Sequence, residues 1–423
     1  MFSTLRNAWK LPDLRKKLIF TMMMLLVYRI GNAIPVPYID VAAMSEYFSA
    51  TLSDTILGLY NAMSGSAFSQ ASVLALGIQP YINASIIIQL LTIAIPVLER
   101  WSKEEGEMGK KKIERLTRYT TVALGLLLGF AYYTMISNQE GIITNDGILP
   151  AIVIILAFAA GSSVVMWMGE RITEFGIGNG ISMILFANIV ASLPATANTL
   201  INSNMFAWWV AIIIAVILLL LIVFIVFIND AERRIPIQYA KRVVGRKVYG
   251  GQNTNLPIKV AMSGVMPVIF AQSIVSLPAT ICTFIGKTEG KLYETLFASS
   301  SWVYVVMYGL LIFFFSWFYS TIQYDPTEMS NNLKKNGGFI PGFRPGKPTA
   351  DFIKKVINKI VVFGAVYLSV VALLPLVGGK LVDGVNNLAI GGTSIIIVVG
   401  VALETVKALE AQMLMRHYKG FLD

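Results

Sequence analysis

Charge is scarce in this chain, and so are the residue types on which most catalytic and metal chemistry rests. Asp, Glu, Lys and Arg together make up 14% of the 423 residues, against 56% hydrophobic, and mean hydropathy is +0.67. A soluble domain of this size needs far more polar surface, so hydropathy overrides the two or three soluble domains that length alone suggests. The lone Cys282 excludes an internal disulfide, and the lone His417 excludes a histidine-based metal cluster and argues against a histidine proton relay. There is no His-Glu-x-x-His, no cysteine pair, and no pair of carboxylates within an apolar run. Gly286-Lys287-Thr288 has Ile281 where a phosphate loop requires its first glycine, and Gly346-Lys347-Pro348 has Pro341 there. The chain therefore reads as a protein without enzymatic activity, with no cofactor or metal expected. The first apolar run, from Leu18 onward, is too long and lacks the small-residue site of a cleavable leader, so it is expected to stay as a membrane span.

What the chain has in abundance is long charge-free runs. Crossing a ~30 Å hydrocarbon core takes about 20 helical residues. Charge-free windows of that length run over Tyr119–Gln139, Gly147–Gly169, Val260–Gly286, Thr295–Tyr324, Ile360–Gly379 and Gly384–Leu403. Phe175–Asn229 is long enough for two spans, with a polar hairpin expected at Pro194–Asn204, and Leu18–Val36 supplies one more. With one span in Thr55–Leu98 the total is ten, and the termini fall on one side. That side carries 30 of the 34 Lys and Arg residues and the other carries Lys287, Lys291 and Lys380, with Arg29 inside a span. The positive-inside rule then puts both termini in the cytoplasm. Two basic loops on that side, 230–259 and 324–359, are each about 30 residues or more, longer than topology requires and therefore expected to be functional.

Thr55–Leu98 is 44 residues without a charge, about twice what one crossing needs. Leu74–Val97 reads as the span, and Leu57–Gln70 as a short re-entrant helix tucked into the protein from the outer side, the other reading being a surface loop. Irregular backbone at membrane depth is tolerated only inside protein or a wet cavity. Arg29 is the one charge well inside a span; snorkelling to the outer headgroups is favoured over an intramembrane counter-ion. Asn83, Gln89, Asn188 and Gln272 are uncharged polar residues within spans, fit either to bond helices together or to weaken a seam that must open.

The sequence also carries a faint internal symmetry. Gly77-Ile78-Gln79-Pro80 opens the second span and Gly264-Val265-Met266-Pro267 the seventh; Gly176–Gly180 opens the fifth and Gly391-Gly392-Thr393-Ser394 the tenth. Two matches at one offset of five spans fit two inverted halves, 1–204 and 205–423. A secondary transporter built from inverted repeats is the main rival reading, and the chain lacks the intramembrane titratable site such a carrier usually needs.

Several segments, in order along the chain, resemble the bacterial SecY/Sec61-alpha family. They are Gly77-Ile78-Gln79-Pro80-Tyr81-Ile82, Ala84–Gln89, Gly176–Ser182, Ala240-Lys241-Arg242, Asn332–Lys335, Pro341–Gly346 and Gly391–Ser394. The resemblance implies an all-α membrane protein of ten helices in two inverted halves with a short re-entrant plug. It implies a channel that passes unfolded secretory polypeptides across the bacterial plasma membrane and releases apolar segments sideways into lipid. By the same resemblance the plug covers 57–70, with Leu57, Tyr60, Asn61, Met63, Ser64, Gly65 and Phe68. The pore ring falls on Ile78, Ile82, Leu185, Ile269 and Ile397, and the lateral gate near Asn83, Gln89 and Gln272. The implied partners are SecE-like and SecG-like membrane subunits, signal sequences, and a SecA motor or ribosome at Lys241, Arg242, Arg246, Lys247 and Arg344.

Overall fold

The computed structural model describes residues 2–52, 56–139, 141–145, 147–202, 208–239, 242–244, 247–249, 253–262, 264–284, 301–381 and 391–419. Among the described residues, ten helices of 16 residues or more lie in the expected windows. They are α2 (Pro12–Asn32), α5 (Gln79–Ala94), α7 (Gly106–Ser137), α8 (Ile148–Phe175), α9 (Gly180–Asn202), α10 (Trp208–Asp230), α11 (Met266–Phe284), α12 (Trp302–Gln323), α14 (Lys347–Leu381) and α15 (Gly391–Lys419). Shorter helices are α1 (Phe2–Lys10), α3 (Val41–Tyr47), α4 (Ile56–Ser64), α6 (Pro96–Lys103) and α13 (Pro326–Lys335). By length and apolarity alone, four helices among the described residues qualify as spans, and a fifth does if the pair α5 and α6 counts as one.

Exposed aliphatic and aromatic side chains cover the outside of the long helices, among them Met22, Leu26, Leu127, Leu156, Leu219, Phe227, Leu310 and Val370. In water that surface would aggregate; against lipid tails it costs nothing. Small residues set the close helix contacts. Gly125 and Gly129 of α7 lie against Ala159, Ser162 and the Ile155 carbonyl of α8, so the two backbones approach without side chains between them.

Several sequence-drawn boundaries move. The second span starts at Gln79 rather than Leu74, since residues 65–78 are a succession of turns, and it ends at Ile95–Pro96, where the chain bends by 106° into α6. Pro80 and Pro267 each occupy the first turn of their helix, where the missing donor is harmless. The glycine three residues before each proline adopts a left-handed conformation, Gly77 at φ +53° and Gly264 at φ +59°, so the matching motifs share a backbone shape. The expected hairpin at Pro194 is instead helix: α9 continues through Pro194 to Asn202, and residues 203–207 lie outside the described residues.

The long loops are not loops. In the first, β1 (Glu232–Tyr239) pairs antiparallel with β4 (Asn253–Lys259) as a ribbon, Ile235 opposite Leu256; a smaller antiparallel pair, β2 (Arg242–Val244) with β3 (Lys247–Tyr249), lies between them in sequence. The second loop adds β5 (Gly338–Phe339) to the free edge of β1, giving the order β4-β1-β5. Ile235, Ile237 and Ile258 alternate inward and pack with Leu333, Ile340, Ile353, Ile357 and Val361 into a separate small core. Alternating polar and apolar residues, masked at sequence level by the basic charge, explain why strands form there. The two loops are thus one platform.

Ion pairs and hydrogen bonds tie helix ends on the basic side: Lys407 to Asp230 at 2.7 Å, Lys17 to Gln412 at 3.2 Å, and Arg118 to Glu170 at 2.9 Å. Toward the other side, short two-residue pairings bind the connecting segments, Pro35 with Ser72 and Ile39 with Ile143. Gly161 of α8 lies under this return segment, and a Cβ there would sit 1.8 Å from the Val73 carbonyl oxygen. Gly161→Val should therefore cost about 1–3 kcal/mol of stability through overpacking. The loss reads as a lowered thermal unfolding midpoint in detergent, with Gly141→Ala, at an open turn position, as a comparison for backbone strain alone.

Candidate functional site

The 44-residue uncharged stretch resolves into a nine-residue helix, α4, buried inside the bundle. Leu57, Tyr60, Met63, Ser64, Gly65 and Phe68 are all buried and Asn61 is half-buried, so the surface-loop reading fails. The helical part ends at Ser64; residues 65–70, expected within the same helix, are turns. α4 packs against both α9 and α11. α11 in turn lies against α5, α7 and α12, and α9 against α15.

Gly65 is what stops α4. It takes φ +68°, its N–H donates to the Ala62 carbonyl at 3.2 Å, and the next N–H, of Ser66, donates to the Asn61 carbonyl at 2.9 Å. This is a Schellman close, which satisfies two of the terminal carbonyls and leaves the following ones without helix partners. Those orphans are met one by one. Asn188 Nδ2 of α9 donates to the Met63 carbonyl at 2.7 Å, Asn32 Nδ2 of α2 to the Ser64 carbonyl at 3.0 Å, and Arg29 Nη1 of α2 to the Gly65 carbonyl at 3.2 Å. Beyond them, the Tyr132 hydroxyl of α7 donates to the Phe68 carbonyl at 2.8 Å. Inside the segment, Asn61 Oδ1 accepts from the Ser69 N–H and Ser64 Oγ from the Phe68 N–H.

Arg29 thus points at the C-terminal end of α4 rather than to the outer headgroups. The negative end of a helix dipole attracts a cation, and a carbonyl within reach fixes where it goes. Gly65 also makes room: a Cβ there would lie 2.5 Å from Arg29 Nη1 and 2.9 Å from Asn188 Oδ1. Phe68 fixes the return segment through an aromatic column, Phe48–Phe68–Tyr132–Phe158, its first two contacts edge-on and the last tilted, with centroid spacings of 6.1, 4.8 and 4.5 Å.

The five expected ring residues are buried in one continuous apolar cluster that also contains Leu57, Met63 and Phe68. Ile78 stands at the start of α5, Ile82 one turn on, Leu185 on α9, Ile269 on α11 and Ile397 on α15. The three expected gate residues are not gathered into one cluster. Asn83 of α5 lies beside the Tyr60 hydroxyl, together with Ser276 and Thr280 of α11; Gln272 lies beside the Tyr304 hydroxyl of α12; and Gln89 is half-buried farther along α5. Tyr60 Oη, Asn83 Oδ1 and Gln272 Nε2 are buried without a hydrogen-bond partner at bonding distance. Of the expected basic contacts, Arg344 is exposed on a turn, and its carbonyl accepts from Thr349 Oγ1. Arg242 and Lys247 sit on β2 and β3, while Lys241 and Arg246 lie outside the described residues.

Sequence reasoning missed Asn32 and Tyr132, placed Asn188 only as a packing or seam residue, and aimed Arg29 outward. The available signal was an amide deep in the apolar run of α9 and the Arg29–Asn32 pair one turn apart. What it lacked was the partner, because a main-chain carbonyl has no sequence signature.

The sequence profile of the SecY family matches residues 72–406. The chain is 42% identical over 437 aligned residues to the protein translocase subunit SecY of Streptomyces scabiei, covering all of both chains. Two solved structures share the fold. One, described as "The structure of a protein conducting channel", has TM-score 0.67 at 18% identity and covers 94% of this chain and 92% of that one. The other, Sec61 in the canine ribosome-channel complex from the endoplasmic reticulum, has TM-score 0.63 at 17% identity and the same coverage.

A left-handed alanine costs roughly 1–2 kcal/mol, and here it would also displace Arg29 and Asn188. Gly65→Ala should therefore speed amide hydrogen exchange over residues 61–69 about fivefold or more while leaving exchange in α7 and α8 unchanged. Equal acceleration throughout the bundle would mean that Gly65 matters to the fold at large and not to this segment.

Proposed function

Because the chain belongs to the SecY family, we propose that it is the protein-conducting channel subunit of a translocase, with α4 and the turns after it as the plug. The observation that carries this reading is a short helix buried between α9 and α11, in the same apolar cluster as Ile78, Ile82, Leu185, Ile269 and Ile397. A ring of branched aliphatic side chains dewets when empty, so it excludes ions, and it offers no fixed hydrogen bonds to hold a passing chain. Division at residues 204/205 into two inverted halves is supported by the shared glycine–proline geometry of α5 and α11.

The seam where α5 and α7 meet α11 is the lateral gate. Its support is chemical: Tyr60, Asn83, Ser276 and Thr280 put polar groups there, two of them with atoms unpartnered, where continuous apolar packing would make a tighter joint. Signal sequences enter at this seam, and lipid receives the released segments.

The platform of β1, β4, β5 and α13 is the docking surface for a SecA motor or a ribosome. Exposed Arg344 and the basic hairpin with Arg242 and Lys247, flanked by Lys241 and Arg246 in sequence, suit acidic motor surface or rRNA phosphates. The charge asymmetry of the loops supports a plasma-membrane location with both termini in the cytoplasm. The exposed apolar helix faces suit small SecE-like and SecG-like membrane subunits. Energy for transport then comes from such a partner or from the proton-motive force, and no catalytic group is assigned to this chain.

Deleting residues 57–70 should raise ion conductance in planar bilayers, and unchanged conductance would remove the plug assignment. Replacing Ile78 and Ile82 by Gly or Ser should likewise raise leakage and relax the signal-sequence requirement for export. A photoreactive group at Ile82 should crosslink to a stalled secretory chain; crosslinking only at lipid-facing positions such as Leu127 would sink the ring assignment.

A further inference from the structure

We propose that Arg29, Asn32 and Asn188 form a latch on the plug, three positioning residues that grip its last main-chain carbonyls and set how readily it leaves the pore. The proposal rests on the plug reading above and adds to it which groups hold the plug and from which side. The Schellman close at Gly65 uses the Asn61 and Ala62 carbonyls and leaves those of Met63, Ser64 and Gly65 to be satisfied from outside the helix. Each is satisfied once, by a different side chain. Asn32 and Asn188 are buried, so their donors find these carbonyls and not water, and the second hydrogen bond of Asn188 Nδ2, to the Tyr28 hydroxyl at 2.8 Å, fixes the amide's orientation.

All three grips come from α2 and α9, and the supporting Tyr132 bond comes from α7. Among the described residues none comes from α11, and from α5 Gln79 Nε2 donates to Met63 Sδ at 3.2 Å, a side-chain atom and not a carbonyl. Next to α11, Tyr60 lies beside Ser276 and Thr280 without a hydrogen bond at bonding distance. Moving α11 away from α5 therefore breaks no latch bond. Gate opening and plug release become two steps, the first governed by the α5–α11 seam and the second by the latch. Asn32 and Asn188 each keep a buried, unpartnered Oδ1, so the latch closes with its amides only half satisfied. A grip of that kind holds a resting plug and still lets go.

The test measures ion conductance of the full-length chain in planar bilayers, alongside its thermal unfolding midpoint. Asn188→Leu, Asn32→Leu and Arg29→Met each remove a donor and should raise resting conductance about three- to fivefold, the effect of one lost bond of this kind. Arg29→Lys keeps a donor and should stay within about twofold of the parent. In a chain lacking residues 57–70, the same three substitutions should add nothing, because the groups they grip are gone. If they raise conductance equally in that background, they act on the bundle and the latch is wrong. If the deletion raises conductance while the three variants leave it at the parent level, the plug stands and the latch falls. If the deletion itself changes nothing, it is the plug reading that fails. Should Asn188→Leu not accumulate, Asn32→Leu and Arg29→Met, both on the outer turn of α2, carry the same comparison.

Discussion

A peptide group removed from water must find a hydrogen-bond partner or forfeit several kcal/mol. Regular helices meet this demand internally, which is why long helices account for most of the described residues. Residues 56–78 do so only in part: they hold one short helix and a run of turns inside the bundle, and the carbonyls of Met63, Ser64 and Gly65 take donors from outside the segment. The side chains that answer it, from α2, α7 and α9, are therefore conditions for this segment to exist at all. Their presence also explains why polar residues persist in helices that otherwise select against them. The short α5, about 24 Å long for its 16 residues, belongs to the same arrangement, since the turns of 65–78 occupy the depth it does not reach.

The polar groups around α4 divide into two kinds. Toward α2, α7 and α9 their donors reach main-chain carbonyls at distances of 2.7–3.2 Å, while Asn32 Oδ1 and Asn188 Oδ1 stay unpartnered. Toward α5 and α11, Gln79 Nε2 donates to Met63 Sδ at 3.2 Å, a weak acceptor, and Tyr60 Oη and Asn83 Oδ1 are without partners. A net hydrogen bond contributes about 0.5–1.5 kcal/mol, while an unmade buried one costs about 1–3 kcal/mol. The two sets therefore differ in weight: one grips main-chain oxygens with donors from three helices, and the other contributes a weak bond to a thioether. A part that must stay shut at rest and open on demand needs that asymmetry, and it follows from which donors reach which carbonyls.

The spans were legible because hydrocarbon imposes a length and a composition that a bare sequence displays directly. So was the surplus before the second span, since 44 uncharged residues cannot be one crossing. The ends of elements were less legible. Pro194 reads as a breaker, but α9 absorbs it, as membrane helices often do when neighbours re-satisfy the freed groups. The ribbon of β1 and β4 was hidden because its alternation is short and its basic residues read as topology; its third strand, β5, pairs with β1 from about 100 residues away. Arg29 was misdirected for a related reason. Its partner is the carbonyl of Gly65, 36 positions on, and every residue in the chain carries such an oxygen. Side-chain chemistry can be read in one dimension, whereas contacts to the main chain appear only when the chain is folded.

That the grip falls on main-chain oxygens carries a consequence for how such a segment can change over time. Any nine-residue helix closed by a left-handed glycine presents the same three carbonyls at the same spacing, whatever its side chains. Leu57, Tyr60 and Met63 can then be exchanged for other residues of suitable bulk without the holding groups having to change in step. Arg29, Asn32, Asn188 and Gly65 cannot be exchanged so freely, because each is defined by geometry relative to the backbone. The stopper is in this sense a replaceable part seated in a fixed fitting, free to be retuned for tightness while the fitting stays as it is.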